Sequence, residues 1–98
     1  MDDPLETLFQ HCQALLRGDA DTLARLREAG FACAPGHWEF LLPQLHRWLA
    51  PQWDYPRLRQ ALYASDLNSR LRGLGGEIAI ADNRGNVDLS RYCLRRLS

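Results

Sequence analysis

The sequence predicts a mainly helical α+β domain, four to five short helices followed by a C-terminal β-hairpin. Three observations carry this expectation. Apolar residues recur at helical spacing as far as Leu74. Glycines and capping residues cut that pattern into short pieces. After Gly75-Gly76 the rhythm becomes alternation, with Ile78, Ile80, Val87 and Leu89 around the turn Asp82-Asn83-Arg84-Gly85.

The first helix has a complete start signal in Asp3-Pro4-Leu5-Glu6. Asp3 can cap the free amides, Pro4 suits the first turn, and Glu6 stands at the reciprocal capping-box position. Leu5, Leu8, Phe9, Cys12, Leu15 and Leu16 form its apolar stripe, and Gly18 ends it. Asp19 or Asp21 caps a second helix through Leu23 and Leu26, closed by Gly30. This segment resembles the second helix of an ankyrin repeat, but no second copy follows at the expected period. Beyond a loop at Cys33–Gly36, Trp38, Leu41, Leu42, Leu45 and Leu49 form a third helical stripe, which Pro43 must either kink or start. A loop from Ala50 to Tyr55 leads to Asp54, placed to cap a fourth helix entered at Pro56. Leu58 and Leu67 are two and a half turns apart, so one continuous helix would need burial on both faces. A break near Ser65 resolves this. In the hairpin, the short turn sets Ile80 opposite Val87 and Ile78 opposite Leu89. From Ser90 onward helical and strand spacing compete, and a returning strand is favoured.

At 98 residues the chain is one domain, with a helical half at 1–50 and a second half at 54–98. Such a chain buries roughly 60–68% of its unfolded surface, enough for a core without disulfides or metal. Formal net charge is zero, which weighs against a strong nucleic-acid binder. The charge is uneven: residues 1–50 carry four Arg against seven acids, and residues 51–98 carry eight Arg against five acids. There is no Lys, a bias that reads as the codon usage of a GC-rich bacterial genome. Cys12, Cys33 and Cys93 are odd in number and widely spaced, as free thiols in a reducing cytosol would be. The acidic start MDDPLET is unlike a signal peptide and no long apolar run exists, so a soluble cytoplasmic protein with no membrane partner is expected.

Residues 54–98 resemble a winged helix-turn-helix. The matching words are Ser69-Arg70-Leu71-Arg72, Gly75, Ile78, the hairpin, and Tyr92-x-Leu94. The resemblance implies a small regulatory module binding double-stranded DNA. It places Asn68, Ser69, Arg70 and Arg72 near the groove and Arg84 at the wing tip, and Arg57 and Arg59 complete the arginine face. The competing reading is a protein-interaction adaptor or immunity-type protein. Trp53 and Tyr55, on no helical stripe, are its interface anchors beside the arginines. Half-site reading often uses dimers, so monomer and homodimer are both open.

Other chemistry finds little footing. Cys33-x3-His37 with His46 lacks the second ligand pair a zinc site needs, so no metal or cofactor is expected. The run from Asp82 to Asp88 has its glycine fourth, where a calcium loop has it sixth. Arg17-Gly18-Asp19 spells an adhesion tripeptide but also ends one helix and caps the next. No nucleophile elbow, phosphate-binding loop or zincin motif is present, and a non-enzyme is expected.

Overall fold

The computed structural model describes residues 3–82, 85 and 90–97. These residues form an α+β fold with five helices and a four-stranded antiparallel sheet. Helices α1 (Pro4–Leu16) and α2 (Ala20–Glu28) lead into strands β1 (Ala32–Ala34) and β2 (His37–Leu41). Helices α3 (Leu42–Leu49), α4 (Tyr55–Ala64) and α5 (Leu67–Arg72) follow, then strands β3 (Gly76–Asp82) and β4 (Arg91–Arg96). The strands lie in the order β1-β2-β4-β3, so β4 is inserted between β2 and β3.

The helix boundaries follow the caps. Asp3 accepts from the Leu5 amide at 3.0 Å, with Pro4 in the first turn of α1. Glu6 does not close the expected capping box: its carboxylate reaches across to Arg70 on α5, at 2.9 and 3.1 Å. Asp19 caps α2, accepting from both the amide and the hydroxyl of Thr22 at 3.1 and 2.6 Å. Gly18 and Gly30, after the two helices, take positive φ, as their C-terminal positions require. The break between α4 and α5 falls at Ser65, whose hydroxyl donates to the Leu62 carbonyl and accepts from the Leu67 amide. Leu67 and Leu71 are then buried on one face of α5, while Leu74 lies beyond the helix and is exposed.

Two expectations are corrected. The stripe from Trp38 to Leu49 is not one helix, since His37–Leu41 is a strand and the helix begins at Leu42. Trp38 and Phe40 alternate into the core, and their spacing to Leu42 and Leu45 also happens to fit a helix. Pro43, lacking an amide hydrogen, sits without cost in the first turn of α3. The loop at Cys33–Gly36 is accordingly a tight hairpin joining β1 to β2, with Ala34 opposite His37 and Gly36 at φ +74°.

The C-terminal hairpin is present, but in another register. Ile78 pairs with Leu94 and Ile80 with Tyr92, and Asp82 meets Arg91 past an irregularity in the ladder. These partners replace the Leu89 and Val87 that the short turn predicted; Val87, Leu89 and Arg84 lie outside the described residues. Short-loop logic favours the nearest alternating partner. The longer link lets β4 pair on its other edge with β2, where Trp38 meets Leu94 and Phe40 meets Tyr92. Residues 91–96 thus form the returning strand.

The large apolar side chains of the core fall on one face of this sheet, and Leu41, at the end of β2, is exposed on the other. Trp38 and Phe40 of β2 and Tyr92 and Leu94 of β4 meet Leu8, Cys12 and Leu15 of α1, Leu26 of α2, Leu45 of α3 and Leu71 of α5. The opposite face carries Glu39, Glu77, Arg91 and Arg95, with Glu77 and Arg95 paired at 3.5 Å. One covered and one polar face is the usual economy of an antiparallel sheet.

Two titration predictions follow from these contacts. Hydrogen bonds from Arg70 hold the Glu6 carboxyl below its ordinary 4.5, and those from Thr22 hold Asp19 below 3.8. A carboxyl with a lowered folded pKa adds stability above its ordinary value, lost as pH falls through the lowered one. Urea midpoints are therefore expected to drop below about pH 4, less so for Glu6→Gln, and less in high salt because both groups are exposed. An acid limb identical in Glu6→Gln would rule the pair out as a contributor. Burial pushes the Cys12 thiol up to about 12 and also raises Cys33 and Cys93. Only the thiolate reacts. In a timed iodoacetamide reaction at pH 8, Cys12 should be alkylated only as fast as the whole domain opens; early labelling of its peptide would contradict this.

Candidate interaction site

The side chains singled out in the sequence are distributed over three places. The first is the connection between α3 and α4. Here the Arg57 guanidinium stacks on the Trp53 ring at 4.1 Å, and that of Arg59 lies 5.5 Å from the Tyr55 ring. His46 fixes the loop by donating from Nε2 to the Trp53 carbonyl at 2.6 Å, and its ring leans on Tyr55 at 5.6 Å. Trp53 and Tyr55 are half-buried. The structure thus gathers these four residues into one aromatic and arginine patch, with Arg57 at its exposed edge.

The second place is the outer surface of α5, and its residues have unequal freedom. Arg70 forks onto Glu6 and stacks on Phe9 at 4.0 Å, clamping α5 to α1. Ser69 and Arg72 are exposed. Asn68 points the other way. Its Nδ2 donates to the Ile78 carbonyl at 2.9 Å, and its Oδ1 accepts the Ile78 amide at 2.8 Å. It fastens α5 to β3. Asn68 and Arg70 are therefore engaged within the fold, and Ser69 and Arg72 are the residues of this face without such contacts among the described residues.

The third place was not visible in the sequence. Between the end of α4, the start of α5 and the free side of β3 lies a cleft of about 380 Å³. Leu62, Tyr63, Leu67, Ile78, Ile80 and Tyr92 supply most of its wall, and among the described residues no charged side chain lines it. Two of these residues remain largely open to solvent, Tyr63 at 60% and Ile80 at 53%. The Tyr63 and Tyr92 hydroxyls meet at 2.6 Å. Tyr63 escaped notice because it falls off the Leu58–Leu62 stripe of α4, and Ile80 because the expected hairpin register covered it.

The polar groups of this cleft are occupied. Ser65 bonds to the backbone at Leu62 and Leu67, and Asn68 to Ile78. Among the described residues no group of three or more His, Cys, Asp or Glu side chains could hold a metal ion, and no helix is long and apolar enough to cross a membrane. Compared with family models, curated proteins and solved structures, the chain has no match.

Proposed function

We propose that this protein is a non-enzymatic interaction module that docks a protein partner in the cleft between α4, α5 and β3. The observation that carries the reading is the exposure of Tyr63 and Ile80 at the mouth of an apolar-walled cleft. Neighbouring apolar surface left open by a folded domain commonly marks a binding site. The occupied state of Ser65, Asn68 and the tyrosine pair supports binding over catalysis, since each polar atom already has a structural partner. Trp53 and Tyr55, with Arg57 beside them, offer a second contact area of the kind that anchors interfaces.

Selection of a phage-displayed library of random decapeptides tests this. Enrichment is expected on the wild-type chain and not on Ile80→Glu, a change at an exposed position that should leave the circular dichroism spectrum intact. Equal enrichment on both, or none on either, overturns the reading.

A second reading, DNA binding by a winged helix, rests on one specific observation. The order α5, the turn through Gly75, β3 and the returning β4 is that of a recognition helix followed by a wing. Arg72 and Arg57 are exposed and could meet phosphates. Anisotropy of a labelled mixed-sequence duplex decides it. Binding at low salt that weakens with added salt, and with Arg57→Ala/Arg72→Ala, supports the reading; silence at low salt overturns it.

A further inference from the structure

We propose that the occupant of the cleft is a short, extended, apolar segment of a partner protein, added as a new strand along β3 and paired at Ile80; this rests on the docking reading above. The strand order leaves β3 at one edge of the sheet. Both backbone polar groups of Ile78 are bonded to the Asn68 carboxamide, which stands on the side away from β4. That carboxamide offers one donor and one acceptor, the pair that one residue of a neighbouring antiparallel strand would offer. Asn68 is thus a one-residue surrogate for an added strand, and it closes the edge at Ile78. In a β-strand, residues two apart present their backbone groups to the same side. The amide and carbonyl of Ile80 therefore face the open edge one step beyond the reach of Asn68.

An incoming strand that pairs at Ile80 has alternate side chains directed to the helical face of the sheet, where the cleft lies. Leu62 and Tyr63 wall it there, with no charge to pair among the described residues. The side chain entering is therefore apolar. A second copy of this chain is a poorer occupant on two grounds. Pairing two β3 edges would run each strand into the other's Asn68 and α5, which already hold the edge at Ile78. The exposed parts of Tyr63 and Ile80 would contribute only roughly 200–300 Å² per copy, whereas a stable specific interface buries on the order of 1,000 Å² or more in total. A flexible segment of a few residues can end short of Asn68, and its main-chain hydrogen bonds supply a weak, peptide-scale affinity that needs no such area.

The test uses the full chain and synthetic versions of the decapeptides enriched on it, each N-methylated at one residue in turn. The expected result is apolar residues two apart in the enriched peptides, one N-methyl position that weakens binding by about tenfold, and slowed exchange of the Ile80 amide in the complex. Peptides that depend on Ile80 yet tolerate every N-methyl group, or leave the Ile80 amide exchanging freely, overturn strand addition while the docking reading stands. Failure to enrich peptides overturns both. Exchange at Ile80 that slows with protein concentration alone assigns the edge to a second copy and overturns the peptide as occupant.

Discussion

Trp38→Ala is expected to remove about 3–5 kcal/mol of stability, the range for emptying a large aromatic from a packed core. Trp38 is fully buried and is the meeting point of the core aromatics. Phe31 and Trp48 stand edge-on to it at 5.4 and 5.9 Å, and Phe40 leans on it at 5.2 Å. It also occupies the central strand pair, opposite Leu94 on β4 and Cys33 on β1. Losing the indole therefore opens a cavity touched by both layers, and the surrounding backbone is in a four-stranded sheet that cannot collapse to fill it. A typical domain has only about 5–15 kcal/mol in total, so this variant should show a much lower urea midpoint or incomplete folding. Trp38→Phe separates size from chemistry. The indole Nε1 is buried and has no hydrogen-bond partner among the described residues, and phenylalanine removes that polar group together with some volume. Its expected cost is therefore smaller, about 1–2 kcal/mol. An alanine variant no weaker than the phenylalanine one would mean that Trp38 does not organise the core.

Much of the fold was legible because local chemistry and tertiary structure agree over most of the chain. The caps at Asp3 and Asp19, the stop at Gly30 and the break at Ser65 are each decided within about four residues of sequence, and each stands in the structure. The misreadings lie where two periods coincide. Trp38, Leu42 and Leu45 are spaced four and three apart, which a helix satisfies, while Trp38 and Phe40 alternate as a strand requires. What decides between them is β4, more than fifty residues away, which pairs with β2. The hairpin misreading has the same origin. A turn and two flanking alternating runs specify that a hairpin forms, but Tyr92 and Leu94 win the register because they also complete a core with Phe40 and Trp38.

The candidate site was less legible, since a site depends on which polar groups are left over after folding. Arg70 reads in sequence as a cation on a helix surface, and only the packing of α1 on α5 brings Glu6 to it. The cluster of Trp53, Tyr55, Arg57 and Arg59 was legible because its contacts are within four residues along the chain. The cleft was not, because its walls come from α4, α5, β3 and β4 together.

Asn68→Ala is the second substitution with a large expected effect, and it acts on two quantities at once. Removing the carboxamide leaves the Ile78 amide and carbonyl without their partner, next to a half-buried strand. Leaving a backbone group unsatisfied costs about 1–3 kcal/mol, and solvent at the edge recovers part of this, so the expected loss is about 2–3 kcal/mol for the pair. The same change lengthens the open edge from Ile80 back to Ile78. Strands with long unblocked edges recruit other strands. The variant should therefore be less stable in urea yet more prone to concentration-dependent association in sedimentation velocity. These two readouts separate the roles of Asn68. Lost stability with unchanged association means the carboxamide only pins α5 to β3. Lost stability together with new association, suppressed by adding Ile80→Glu, means that Asn68 also sets where along β3 another strand can pair.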